Sequence, residues 1–465
     1  MSLRQRALSG GAILVLRQAI GTLLGLAGVL LVTRVIGPAK YGVYAAAIGI
    51  VMFLGAMATW GLDVFLLRKP SEPTKEEFNQ AFTLLVGLGI SLAFTLILLR
   101  NVIAGLLRLP DCGPIIGVLA AGLPINLLSI PAVVRLDRDL NFKQVAFNEL
   151  VSQSSYYVLA VPLALRGVGS WAPTAGWLVQ QLSLFLLSYA SVDLKPKLHW
   201  DRRLLRDMIG YGLSYSSSIW VWQLRGLVNP VVVGRLAGAE AVGLVAVGIR
   251  IAEGLSFARS ATWRLAMATL AKLDMDPARL RRSIGEGMRM QALLVGLPLA
   301  VFALVAPVGL PVVLGHRWGA ALSVFPLIAI GCLSNAMFAL HSSVLYLFRR
   351  NLEVTWFHCI HILLFASSAA LLVPKIGFPG YGWAEIVALV SYWVLHAFLV
   401  RTIGQPSYRD AAVWYFAFAS ALFVCLASEP LRYFGFILLL LPMLFRKERS
   451  TLRGYAQVLL SKASA

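Results

Sequence analysis

"TRVIGPAKYGVYAAAIGI" (residues 33–50) and "GRLAGAEAVGLVAVGIRI" (residues 234–251) decide how this chain is built. At a constant offset of 201 residues, Arg34, Gly37, Gly42, Ala45, Ile48 and Ile50 stand against Arg235, Gly238, Gly243, Ala246, Ile249 and Ile251. Six identities in eighteen positions exceed chance even for low-complexity apolar sequence. A weaker echo, "RDLNFK" (138–143) and "RNLEVT" (350–355), follows at an offset of 212. Each copy comes after the fourth apolar run of its half, so the chain reads as a duplication.

The surrounding sequence fixes the solvent. Of 465 residues, 59% are hydrophobic and 13% charged, with a mean hydropathy of +0.78. Apolar stretches of about twenty residues follow one another from end to end, which defines an all-α polytopic membrane protein. The first stretch follows Arg4 and Arg6 but is too long for a secretory h-region and lacks a small-residue cleavage site, so it is expected to be retained. Hydropathy and charge breaks predict fourteen transmembrane helices, near 10–32, 43–67, 80–100, 114–134, 146–166, 171–192, 208–233, 241–262, 290–313, 320–347, 354–373, 381–400, 410–428 and 431–445.

Two six-helix lobes follow, residues 1–205 and 206–405, with two further helices in 406–446 and a basic tail in 447–465. Six is even, so both lobes start on the same side of the membrane and are parallel repeats. That is a transporter architecture, with its site between the repeats near the bilayer midplane. A channel or scaffold built by duplication is the alternative, although nothing resembles a selectivity filter.

The net charge of +20 does not point to nucleic acid, because the basic residues sit in short loops and not on one face. With the amino terminus cytoplasmic, most of the 41 Lys and Arg fall in inside loops, such as Lys195, Lys197, Arg202, Arg203 and Arg206. No outside loop holds more than two, so the positive-inside rule predicts both termini in the cytoplasm. No GxxxxGK[ST] loop exists to cradle a nucleotide, which excludes an ATP-driven pump of that kind. The four cysteines are scattered, and no disulfide framework, metal site or cofactor is expected. His358 and His361 share a helix face but lack a carboxylate to complete a metal set.

The informative residues are arginines inside the apolar runs. Arg17 lies about seven residues into the first span, roughly 10 Å deep at 1.5 Å per residue. It heads a stripe, Arg17, Gly21, Gly25 and Gly28, that is either a close helix contact or the wall of a polar cavity. Arg225 occupies the seventh helix, the repeat partner of the first, with Ser218, Trp222 and Asn229 near its face. Arg250 and Arg259 lie in the eighth, where Glu253 offers Arg250 an intrahelical pair. An uncompensated charge at the bilayer centre costs at least about 2.5–3.5 kcal/mol, so these cations point to an aqueous cavity and an anionic guest. Arginine suits phosphate because its planar fork donates two parallel hydrogen bonds and stays charged. Asp63 is placed to pair with Arg17 or the nearby basic loop; Glu149, Glu253 and Glu385 are the other intramembrane carboxylates, for ion coupling or for hydrogen bonding within the bundle. Trp220, Trp222, Tyr211 and Tyr215 offer flat faces to sugars, or packing and interface anchors. The tail, "FRKERSTLRGYAQVLLSK" (445–462), reads as a solvated end, with anionic lipid or a cytoplasmic glycosyltransferase as alternatives.

"LVTRVIGPAKYGVYAAA" (31–47), "WGLDVFLLRK" (60–69), "RLDRDLNFKQVAF" (135–147), "RDMIGYGLSYSSSIW" (206–220) and "VVGRLAGAEAVGLVAVGIRIAEGLS" (232–256) resemble bacterial polysaccharide transporters. These are the O-antigen and exopolysaccharide flippases of the multidrug, oligosaccharidyl-lipid and polysaccharide exporter superfamily. The resemblance covers about the first 400 residues. It implies two six-helix lobes in a V, a central cationic cavity, and a lipid-linked oligosaccharide on undecaprenyl diphosphate carried from the cytoplasmic to the periplasmic leaflet. Membrane lipids and polysaccharide-synthesis proteins are the other partners it implies. Related lipid II flippases use arginines on the first helix of each lobe, a placement that Arg17 and Arg225 match by helix. Fourteen spans fit those flippases better than the twelve common among O-antigen flippases, so a peptidoglycan precursor stays open as cargo. A drug or cation antiporter would need an anionic cavity, and a membrane enzyme of polysaccharide synthesis a sizeable catalytic loop.

Overall fold

The computed structural model describes residues 3–69, 71–257, 259, 276–428 and 430–463. Among them every regular element is helical. The first half comprises α1 (Leu3–Ala58), α2 (Leu62–Arg68), α3 (Lys75–Leu107), α4 (Cys112–Ala121), α5 (Leu123–Leu128), α6 (Ile130–Arg138), α7 (Phe142–Leu165) and α8 (Trp171–Ala190). The second comprises α9 (Arg202–Gln223), α10 (Gly234–Leu255), α11 (Pro277–Gln291), α12 (Leu297–Leu314), α13 (Phe325–Leu347), α14 (Asn351–Ile376), α15 (Pro379–Ala388) and α16 (Tyr392–Ile403). Then come α17 (Arg409–Val424), α18 (Phe434–Leu440) and α19 (Arg446–Ala463).

Eight helical runs among the described residues are long and apolar enough to cross a membrane, where the sequence predicts fourteen spans. Part of the difference is continuity. The run Ile20–Ala58 has 39 residues and Trp220–Leu255 has 36. At 1.5 Å per residue each is over 50 Å long, against roughly 30 Å of hydrocarbon. Each is broken once, at Gly37 (φ 77, ψ 170) and at Gly238 (φ 84, ψ 179). These are the paired glycines of the repeat. Pro38 bars its predecessor from helical backbone, and only glycine takes a positive φ there without strain. Another part is polarity. The helices α7 and α8 occupy the expected fifth and sixth spans, but Ser152, Gln153, Ser154 and Ser155 on one and Gln180 and Gln181 on the other leave them less apolar than the eight. The last expected span, 431–445, appears as a short apolar segment, Leu431–Leu444.

The duplication is visible in the backbone. A Cβ on Gly42 would lie 1.7 Å from the Ala239 carbonyl oxygen, and one on Gly243 would lie 2.1 Å from the Pro38 carbonyl oxygen. The same offset of 201 converts one contact into the other. The weaker echo is also real, but its register differs from the sequence reading. Leu140 (φ 54) and Arg349 (φ 58) take the same left-handed backbone, and each is followed by an N-cap of matching geometry, Asn141 (φ −83, ψ 56) and Arg350 (φ −89, ψ 49). The structural offset is therefore 209 and not 212. Identity in a six-residue match carried the sequence alignment past the turn that actually repeats.

The basic tail is not simply solvated. Glu448, in the first turn of α19, is buried and accepts a hydrogen bond from Trp414 Nε1 (2.7 Å) while pairing with the buried Arg289 of α11. Lys447 adds an exposed pair with Asp410 (2.6 Å), so α19 is tied to α11 and α17 at its start.

Candidate functional site

A face of α1 meets a face of α7 like two halves of a ladder. Arg17, Gly21, Gly25 and Gly28 lie on the first; Glu149, Gln153 and Tyr157, at steps of four, lie on the second. Arg17 Nη2 and Glu149 Oε2 are 2.5 Å apart. One turn on, Gln153 Nε2 donates to the Gly21 carbonyl (2.8 Å), and one turn further Tyr157 OH donates to the Gly25 carbonyl (2.9 Å). A Cβ on Gly28 would fall 2.2 Å from the Tyr157 ring, so the small residues let a polar helix approach closely. The stripe is thus a close helix contact along its length and a cavity wall at its polar end.

The cavity has a volume of about 290 Å³. Arg17, Gln18, Gly21 and Gln153 line it from the first half of the chain, and Arg250, Glu253 and Phe257 from the second. The side chains of Arg17 and its partner Glu149 are partly exposed, at 24% and 30%. Arg17 Nη1 also donates to Gln18 Oε1 (3.1 Å), and its Nε is buried with no hydrogen-bond partner among the described residues. Arg250 and Glu253 are both exposed, and the intrahelical ion pair that Glu253 offers is not made among the described residues. Two guanidinium groups and the Glu253 carboxylate therefore line one space, and the cationic excess expected from the arginines is reduced further by the pairing of Arg17 with Glu149.

The other expected residues lie elsewhere. Arg225 is packed beneath Trp222 and Phe365, with its guanidinium carbon 5.6 Å from each ring centroid, and is ion-paired to the buried Glu385 of α15. It does not line the Arg17 cavity. The reason is its place in the helix: the segment Leu224–Val233 winds first as a 3-10 turn and then as a π turn, which swings Arg225 toward α14 and α15. Arg259 Nη1 donates to Asn335 Oδ1 (2.8 Å). Among the described residues Asp63 pairs neither with Arg17 nor with the basic loop; it sits in the first turn of α2, and its Oδ1 is buried without a hydrogen-bond partner there. His361 is held by Ser391 (2.9 Å), and the Trp222 ring lies tilted against His358 and His361, with centroids 4.8 and 5.5 Å away. The side chains of Tyr211, Tyr215 and Ser218 lie outside the described residues, as do Arg264 and Lys272.

Gln153 and Tyr157 were not among the residues expected from sequence. Their signal was present: a Glu-x3-Gln-x3-Tyr stripe on α7 complements an Arg-x3-Gly-x3-Gly stripe on α1.

This architecture is found in solved transporters. The chain superposes on the lipid II flippase MurJ in its inward closed conformation with a TM-score of 0.74, at 13% identity, covering 95% of this chain and 99% of that one. A multidrug resistance MATE family transporter of the MOP superfamily gives 0.62 at 15% identity, over 86% and 95%. The fold is that of the MOP-superfamily transporters. Residues 31–323 match the polysaccharide biosynthesis protein family, and the chain belongs to it. Among its relatives is the succinoglycan biosynthesis transport protein ExoT of Rhizobium meliloti (strain 1021), 24% identical over 305 residues, which are 64% of this chain and 61% of that protein. The lipopolysaccharide biosynthesis protein WzxC of Escherichia coli (strain K12) is 20% identical over 428 residues, or 88% and 84% of the two chains. The teichuronic acid biosynthesis protein TuaB of Bacillus subtilis (strain 168) is 23% identical over 390 residues, 80% of each.

Proposed function

We propose that the chain is a flippase and not an enzyme: it moves a polyprenyl-diphosphate-linked oligosaccharide, the repeat unit of an O-antigen, capsule or exopolysaccharide, from the cytoplasmic to the periplasmic leaflet of a bacterial inner membrane. In this reading two six-helix lobes (1–205 and 206–405) rock about a shared cavity, with two helices in 406–446 appended, fourteen spans in all and both termini cytoplasmic. The observation that carries it is that Arg17 and Arg250, one from each half of the chain, line the same polar cavity, in a member of the polysaccharide biosynthesis protein family. The transport names of ExoT and of the flippase MurJ agree with it.

The chemistry follows from charge balance. Arg250 is available to a phosphate, and Arg17 becomes so when Glu149 is displaced or takes a proton. The diphosphate then bridges the repeats while the lipid tail stays in the bilayer and the sugars cross through the cavity. A potential negative inside favours outward movement of each anionic charge by about 2.3 kcal/mol per 100 mV across the full field. Arg225 with Glu385, and Arg259 with Asn335, support the second lobe in this scheme and do not bind the guest. Membrane lipids and polysaccharide-synthesis proteins are the other partners. A lipid II-type precursor presents the same diphosphate, so the sugar alone separates that second reading from the first.

The test is transport of a fluorescent polyprenyl-diphosphate oligosaccharide in proteoliposomes without ATP. Wild type is expected to flip it, faster with a potential negative on the cytoplasmic face. Glu149→Gln is expected to flip it with a pH dependence flatter than wild type's, because Arg17 no longer waits for a carboxylate to be neutralised. Transport of lipid II with none of the oligosaccharide lipid would select the second reading; transport of neither would refute both.

A further inference from the structure

We infer that Arg34 and Arg235, the arginines of the repeated motif, form a pseudo-two-fold latch that holds the two halves together at the end where Gly37 and Gly238 break their helices. This rests on the two-lobe rocking described above and gives the closed end its residues.

Arg34 Nη1 donates to the Val312 and Val313 carbonyls, both at 3.0 Å. Those carbonyls belong to the last turn of α12, which ends at Leu314. Arg235 Nη1 donates to the Leu106 carbonyl at 2.8 Å, in the last turn of α3, which ends at Leu107. Each arginine thus caps the corresponding long helix of the opposite half. Both helices stop at a residue of positive φ, Arg108 (φ 57) and Gly315 (φ 91), which stand 207 residues apart, as do Leu106 and Val313. The carbonyls of a last helical turn lack intrahelical partners and carry the negative end of the helix dipole, so a guanidinium is the fitting cap.

The same end holds the backbone contacts of Gly42 with Ala239 and of Gly243 with Pro38. Each arginine stands three residues before the left-handed glycine of its motif, so one short sequence supplies the cap, the break and the close contact. The latch is remote from the guest. Arg34 lies seventeen residues along α1 from Arg17, about 25 Å at 1.5 Å per residue. While both caps are made, the cavity can open only toward the other end; opening past Gly37 and Gly238 requires both arginines to let go. Their exposure on the surface keeps the caps weak enough to release.

The experiment is a double electron–electron resonance distance measurement in nanodiscs. Spin labels are placed on Val168→Cys and Lys375→Cys, on opposite halves, in a Cys359→Ser/Cys425→Ser background. In the reference protein a short distance dominates. Arg34→Ala or Arg235→Ala is expected to lower the ratio of short to long distances about three-fold each, and about ten-fold together. Arg34→Lys/Arg235→Lys, which keeps the charge and is the safer variant for folding, is expected to fall between. Arg166→Ala removes an arginine with no such carbonyl partner among the described residues and should leave the ratio unchanged. A second distance whose share is the same in the reference, alanine and lysine proteins would overturn the latch while leaving the rocking intact. One invariant distance in every protein, with or without lipid-linked oligosaccharide, would overturn the rocking and the latch together.

Discussion

Arg250→Ala is expected to lower transport of the lipid-linked oligosaccharide at least about thirty-fold while leaving the protein folded. Arg250 is exposed to the cavity and forms no ion pair among the described residues, so its removal strands no buried carboxylate. What it removes is a guanidinium facing the guest. Truncating one partner of a desolvated, hydrogen-bonded charge pair costs roughly 2–5 kcal/mol, and the lower limit corresponds to about thirty-fold. Arg250→Lys keeps the charge but loses the planar fork, so it should transport at an intermediate rate. The check is initial flipping rate at matched reconstitution, together with the melting temperature of the purified protein. A variant that melts as wild type and flips as wild type would place the phosphate elsewhere.

Glu385→Ala should act in the opposite way, through stability. Glu385 is 1% exposed, and its partner Arg225 packs against Trp222 and Phe365, its Nε lacking a hydrogen-bond partner among the described residues. Removing the carboxylate leaves a charge in an apolar bundle, which costs about 3–5 kcal/mol for a buried pair broken on one side. Replacing both partners together, as Arg225→Met/Glu385→Leu, removes the stranded charge and should recover most of the loss, since apolar substitutes for buried pairs are often neutral. Thermal unfolding of the two variants in nanodiscs distinguishes these outcomes; a single variant as stable as wild type would show that the pair does not form. Arg225→Ala would also impair transport, but through the fold of the second half.

Much of the architecture was legible because it rests on periodicity and on one repeated motif. Gly37 and Gly238 were readable as equivalent positions, and both break their helices with positive φ. The count of spans was less secure, because hydropathy does not show that a helix continues through Gly37.

The site was legible in part, for a reason of geometry. Sequence shows that a charge lies within a span but not the direction in which it points. Arg17 and Arg250 face one cavity, whereas Arg225, two turns along from the position expected to mirror Arg17, is turned toward Glu385 by a local change of helical winding. Glu149 was one of several carboxylates until its helix was seen to lie against the Arg17 stripe. Glu448 was hidden within a basic tail because a single buried carboxylate has no periodic signature.

The central claim is that one guest anion bridges Arg17 and Arg250. Its direct measurement is a double-mutant cycle of binding, using a sugar-free polyprenyl diphosphate and the purified wild-type, Arg17→Ala, Arg250→Ala and doubly substituted proteins. If the diphosphate contacts both, each single change weakens binding strongly, and the double change costs less than the sum of the two. Additive losses, or binding indifferent to both substitutions, would contradict it.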